Sequence, residues 1–305
     1  MGQLIVEIAG TPAGEALALA LALLSALAHA IFGAVNKGGR DPYINRGAIN
    51  VAYGLIALPF ALFAFPLPDA RLWAILAGCW AIHIVYEWLQ ARSFAIGGFT
   101  VVYPLARGTG PLATALAATA IFGETLRPGQ WGGLLLLSGA IYGLAWANLR
   151  ALGVTDLAAA AQLRAAILTS LVTGVMISVY TLWDAFGIRQ AADPFTFLAW
   201  FFVVGGCGFP LVALARWRRL TPAQRPALPD LAARGLFGAL IAFLSFGSVM
   251  LATRLGQVGE VAAIRETSIV FAAAIGVLFF HERLDALRIG LIAAIAAGAV
   301  LVKVG

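Results

Sequence analysis

The sequence predicts an all-α polytopic membrane protein, on three observations. Hydrophobic residues fill 62% of 305 positions, charged residues 11%, and mean hydropathy is +0.93. A soluble domain carries about a quarter charged residues because its surface meets water, so the composition excludes one. Ten apolar runs have the length, roughly 20 residues, that takes a helix across about 30 Å of hydrocarbon. Finally, one stretch of the chain occurs twice, which is the mark of an internal duplication.

The runs fall at 16–36, 44–66, 71–91, 98–122, 130–149, 165–187, 194–215, 234–254, 258–281 and 287–303. Turn chemistry separates them: Gly38-Gly39, Asp41-Pro42, Pro66 to Pro68, Arg127-Pro128-Gly129 and Asp193-Pro194. The longest polar gap, Arg216 to Arg234, holds five arginines with Pro222, Pro226 and Pro229, and is expected to be a surface loop. Continuous Ala/Leu-rich runs lack the alternation of a membrane β-barrel. The 34 glycines suit lipid, where small residues let helices approach closely. Residues 1–14 contain no Lys or Arg, so no cleavable signal peptide is expected. Cys79 and Cys207 lie in apolar runs and are expected to be buried small residues rather than a disulfide. The net charge of +6 sits mostly in loops, which points to topology and lipid headgroups rather than nucleic acid.

The duplicated stretch is 102–133, answered by 264–298. Adding 158 carries Arg107 to Arg265, Thr109 to Thr267, Phe122 to Phe280, Glu124 to Glu282, Leu126 to Leu284 and Gly132 to Gly290. Ten runs then divide into 1–150 and 151–305. With five spans per copy, the second must enter the membrane from the opposite side, giving two inverted five-helix repeats. Loops after odd-numbered spans hold thirteen Lys and Arg against five on the other side, which places both termini outside the cytoplasm.

The two copies end Gly123-Glu-Thr-Leu126 and His281-Glu-Arg-Leu284, each before a Gly-rich last helix, and the first span ends His29-Ala-x-x-Gly-x-x-Asn-Lys37. In these motifs the chain resembles the EamA group of the drug/metabolite transporter superfamily, over nearly its whole length. The resemblance implies ten helices and secondary transport of small metabolites in a bacterial inner membrane, with both termini usually cytoplasmic. On that last point the arginine tally points the other way. The run Val102-Tyr-Pro-Leu-Ala-Arg-Gly-Thr109 is similar to a subgroup that includes membrane proteins linked to phosphonate use, a hint of an anionic or zwitterionic substrate.

Arg107 and Arg265 are the sharpest chemical signal. Each lies well inside its span, where an arginine costs about 2.5–3.5 kcal/mol. One reading gives them an internal ion pair, with Glu87 or Glu266 as partner. The other places at least one against a cavity, where a guanidinium grips a carboxylate or phosphonate through two parallel hydrogen bonds. Thr109 and Thr267 would add hydroxyl donors if the helix is unwound there. Pro104, Gly108, Gly110 and Pro111 favour unwinding in the first copy. Tyr180, Trp183, His29 and Asn36 are further substrate-binding candidates. His83 and Glu87, four apart on one helix face, are candidates for proton coupling. Asp184 reads equally as a cavity residue or a headgroup contact. Glu124 and Glu282 are expected to cap the next helix.

No nucleophile–base constellation, phosphate loop or Cys/His cluster appears, so no enzyme activity, cofactor or metal is expected. The expected partners are a small organic anion or zwitterion, membrane lipid and a second copy in a homodimer. The expectation is therefore an alternating-access transporter with proton coupling. The alternatives on the same fold are a broad-specificity drug exporter and a flippase for a lipid-linked anion.

Overall fold

A computed structural model describes residues 2–36, 41–97, 99–151, 157–281 and 284–305. Thirteen α-helices run through them: α1 (Gly2–Glu7), α2 (Pro12–Asn36), α3 (Pro42–Phe63), α4 (Ala70–Ile96), α5 (Phe99–Phe122), α6 (Pro128–Ala151), α7 (Leu157–Gln190), α8 (Pro194–Arg219), α9 (Leu228–Ala242), α10 (Ser248–Leu255), α11 (Val258–Arg265), α12 (Ser268–Phe280) and α13 (Ala286–Val304). Local chemistry sets where they start. Asp41, Asp69, Asp193 and Asp285 each accept hydrogen bonds from backbone N–H groups in the first turn of α3, α4, α8 and α13. Proline follows Asp41 and Asp193 at the first helical position, where its missing N–H costs nothing.

Nine spans among the described residues are long and apolar enough to cross a membrane. They take α9 with α10, and α11 with α12, as single spans. The fourth apolar run forms α5, which has 24 residues but carries Arg107, Pro104 and Pro111 and is not one of the nine. The loop after α8 begins with a short 3-10 turn, Pro222–Gln224.

Several boundaries recur at the spacing of the duplication. Helices α4 and α9 start at 70 and 228, α5 and α12 end at 122 and 280, and α6 and α13 start at 128 and 286. Gly123 and His281, at the shared C-terminal position, both turn left-handed, with φ of 67° and 56°. The two most extensive helix pairings are α3 on α8 and α6 on α13. Glycine permits both approaches. A Cβ on Gly206 would fall 2.6 Å from Gly54 Cα, and one on Gly133 would fall 2.7 Å from the Gly298 carbonyl oxygen. Of the cysteines, Cys79 is buried and Cys207 is exposed on α8, contrary to the expectation that both are buried.

Two interruptions shape the centre. A π-turn at Phe243–Gly247 joins α9 to α10, and Ser25 Oγ on α2 donates to the Ser245 carbonyl oxygen there at 2.7 Å. Helix α11 ends at Arg265 and α12 begins at Ser268. Between them the amides of Glu266 and Thr267 bond the carbonyls of Ala263 and Ile264, three residues back. The break therefore lies in the second copy, whereas the sequence predicted it in the first. Pro104 and Pro111 do not interrupt α5, because neighbouring helices hold it. Gly174 of α7 packs against Ala106 and Thr109, and Ser178 Oγ donates to the Gly110 carbonyl oxygen at 2.9 Å.

Candidate functional site

The buried charge of the molecule collects midway along the spans. Arg107 on α5 and Arg265 at the end of α11 are each 3% exposed. Arg107 Nε lies 3.1 Å from Glu266 Oε2, its Nη2 donates to Ser268 Oγ at 3.2 Å, and its guanidinium stands over the Tyr103 ring. The break between α11 and α12 turns Glu266 and Ser268 towards α5. Arg265 fares differently. Its Nη1 donates to Tyr180 Oη at 3.3 Å and its guanidinium sits 5.2 Å from the Phe246 ring centroid. Its Nε and Nη2 have no hydrogen-bond acceptor, and among the described residues no carboxylate pairs with it. Glu266 lies within electrostatic reach of both arginines, so two guanidinium groups share one carboxylate.

Two further pairs complete the cluster. Glu87 accepts from Arg46 Nη2 at 2.7 Å and from Asn50 Nδ2 at 2.8 Å, which fastens α4 to α3. His83 Nε2 and Asp184 Oδ2 are 2.8 Å apart and join α4 to α7. Asp184 is therefore no headgroup contact. Helix α7 runs on to Gln190, leaving Asp184 well inside the span and buried. Aromatic rings fill the space between the pairs. Tyr180 packs on His83 and Tyr86 with centroids 4.9 and 4.6 Å apart, and Phe201 and Phe246 also flank His83.

Two clefts border this aromatic layer. One is lined by Arg46, Tyr53, His83, Glu87, Phe201 and Phe246 among others. The other is lined by His29, Tyr86, Gln90, Tyr103, Arg107 and Thr173 among others. His29 stacks on Phe32 and Tyr103 and lies within electrostatic reach of Arg46, Arg107 and Arg265.

Of the residues the sequence nominated, Arg107, Arg265, Tyr180, His29, His83 and Glu87 meet in this centre. Thr109 bonds the Leu105 carbonyl and the Tyr142 hydroxyl towards α6. Thr267 Oγ1 donates to the Ile264 carbonyl oxygen within the turn. Trp183 is 36% exposed and donates to the Ile75 carbonyl oxygen, on the outside of the bundle. The Asn36 side chain and Glu282 lie outside the described residues. Arg46, Asn50 and Ser268 were missed. The signal for Arg46 was Glu87 itself, since a carboxylate in mid-span needs a cation.

On the side where α5 ends, Glu124 caps a helix, but not the next one. Its Oε1 accepts from Val258 N at 3.0 Å and its Oε2 from Gly259 N at 3.3 Å, at the start of α11. Arg189 Nη2 donates to Glu124 Oε1 at 2.9 Å and also bonds the Gly256 carbonyl, while Arg189 Nε bonds that of Thr253. The ends of α5, α7 and α10 and the start of α11 are thereby drawn together.

Residues 164–304 match the family model of the EamA-like transporters. A solved structure titled only as the crystal structure of a protein superposes with a TM-score of 0.72. It is 16% identical, and the match covers 96% of this chain and 98% of that one. At that identity it speaks for the fold alone. No curated protein matches. The apolar helices are those of a multi-pass membrane protein, and over its second half the chain is similar to the EamA-like transporters.

Proposed function

We propose that this chain, similar to the EamA-like transporters over its second half, is a secondary transporter of a small organic anion or zwitterion in a bacterial inner membrane. In this reading ten spans form two inverted five-helix repeats, 1–150 and 151–305, with α5 as the tenth. The recurring helix boundaries support the duplication. The tight pairings of α3 with α8 and α6 with α13 support a two-fold arrangement, since each joins counterpart spans.

One observation carries the substrate class. Arg265 is buried, and two of its nitrogens lack acceptors at a depth where an unpaired guanidinium is costly. Such a group is retained where a bound anion completes it, and a guanidinium offers two parallel donors to a carboxylate or phosphonate. A carrier of flat cations would instead present an unpaired carboxylate.

Alternating access follows if the Glu124–Arg189 network closes one side in this conformation and parts in the other. The assignment is tested in proteoliposomes with membrane-impermeant anions such as gluconate and aminomethylphosphonate, against hydrophobic cations as competitors. Anion flux that falls at least tenfold in Arg265→Gln and recovers in part in Arg265→Lys is the expected result. Undiminished anion flux in Arg265→Gln, or efficient competition by the cations, overturns it.

A further inference from the structure

We infer that the His83–Asp184 pair takes up one proton for each monoanion that binds at Arg265, making the carrier a proton–anion cotransporter. This rests on the anion reading above and adds the coupling ion, its seat and its stoichiometry.

Among the described residues the central cluster holds three arginines, Arg46, Arg107 and Arg265, and three carboxylates, Glu87, Glu266 and Asp184. With His83 neutral the cluster carries no net charge. Two of the arginines are matched by direct pairs. Arg265 has no direct pair among the described residues, and the third carboxylate, Asp184, stands one helical turn along α7 from Tyr180, the residue that Arg265 touches. A monoanion on Arg265 leaves the cluster one negative charge in excess. Inside a slab of low dielectric that excess is expensive, and one proton cancels it.

Only one of the three pairs can accept that proton without losing a contact. Protonating Glu87 would break its bond to Arg46, and protonating Glu266 would strip Arg107 of its counter-ion. In the third pair we assign the Nε2–H of neutral His83 as donor to the Asp184 carboxylate at Oδ2, with the added proton going to Nδ1, so that the imidazole becomes an imidazolium against a carboxylate. No other bond forms or breaks, and the proton comes from water in the cleft that His83 lines. The other ionisable groups facing His83 are Arg46 and Tyr53 from α3, Cys79, Tyr86 and Glu87 from its own helix, and Tyr180 with Asp184 from α7. Among the described residues lining that cleft, α8 and the π-turn contribute Phe201, Phe202, Gly205 and Phe246, none of them ionisable. Arg265 acts through Tyr180, which touches both the guanidinium and the imidazole ring.

The chain contains three histidines, so His83 can be followed by nitrogen-15 histidine NMR in lipid nanodiscs and identified by its loss in His83→Gln. Deleting the Arg265 charge should mimic anion binding, raising the His83 protonation midpoint by about one pH unit in Arg265→Gln. A midpoint that stays in place overturns the inference whatever the anion. In proteoliposomes, the ratio of protons to anions moved should be one in the wild type and near zero in the residual flux of His83→Gln. A ratio unchanged by His83→Gln also overturns the inference. Failure of the wild type to move any anion while the His83 midpoint still answers to Arg265 counts against the anion reading, not against the coupling.

Discussion

The two copies of the repeated stretch carry the same arginine at the same place and use it differently. Arg107 sits in an unbroken helix and is held by Glu266 and Ser268 from the second copy. Arg265 sits at the end of a broken one and has no carboxylate partner among the described residues. Sequence register explains the inequality. The residue after Arg107 is Gly108, whereas the residue after Arg265 is Glu266, 158 positions later. The repeated stretch thus supplies two guanidinium groups and, at the next position, one carboxylate. The inequality arises at a single position where the two copies differ.

The comparison breaks most visibly at Glu266. Removing one member of a buried ion pair typically costs about 3–5 kcal/mol, so Glu266→Gln should destabilise the protein by that amount. Denaturant unfolding in detergent, followed by tryptophan fluorescence, measures it, and a loss below about 1 kcal/mol would deny the pair its importance. The arginines themselves should then answer unequally. Arg107→Met strands Glu266 and should lower stability by a similar amount. Arg265→Met removes a charge that has no direct carboxylate partner among the described residues, and should lower stability by clearly less than Arg107→Met in the absence of anion. Equal losses in the two variants would mean that Arg265 is as well paired as its counterpart.

A gentler test supplies the missing carboxylate. Phe246→Glu places an acid where a ring now lies beneath Arg265. Anion affinity should fall roughly tenfold to a hundredfold, the value of one charged hydrogen-bonded contact of about 1.5–3 kcal/mol, while the helical content by circular dichroism persists. Retained anion flux in a folded Phe246→Glu protein contradicts the assignment of Arg265.

Much of this was legible beforehand because lipid imposes long, continuous signals. The apolar runs, the Asp and Pro punctuation at 41–42 and 193–194, and the spacing between Arg107 and Arg265 are properties of consecutive residues. The meeting of Arg107 with Glu266 was one of two alternatives, and sequence alone could not choose between Glu266 and Glu87. Asp184 was ambiguous because its distance from a membrane face depends on where α7 ends. Glu124 misled, since its motif points to a local cap and its amides come from α11, more than a hundred residues away. Proline also misled, because α5 is held straight by α6 and α7 while α11 and α12 part without any proline.

The amino-acid sequence by itself determined that the chain lies in a membrane, that it repeats, and that charge is buried in both copies. Hydropathy and spacing are summed over neighbouring residues, so they survive without coordinates. Tertiary structure alone decided which arginine is neutralised, which histidine meets an acid, and which ends of the bundle are tied together. Those outcomes depend on the rotation and crossing of helices far apart in the chain, where a turn of one helix by a single residue exchanges a charged neighbour for an apolar one.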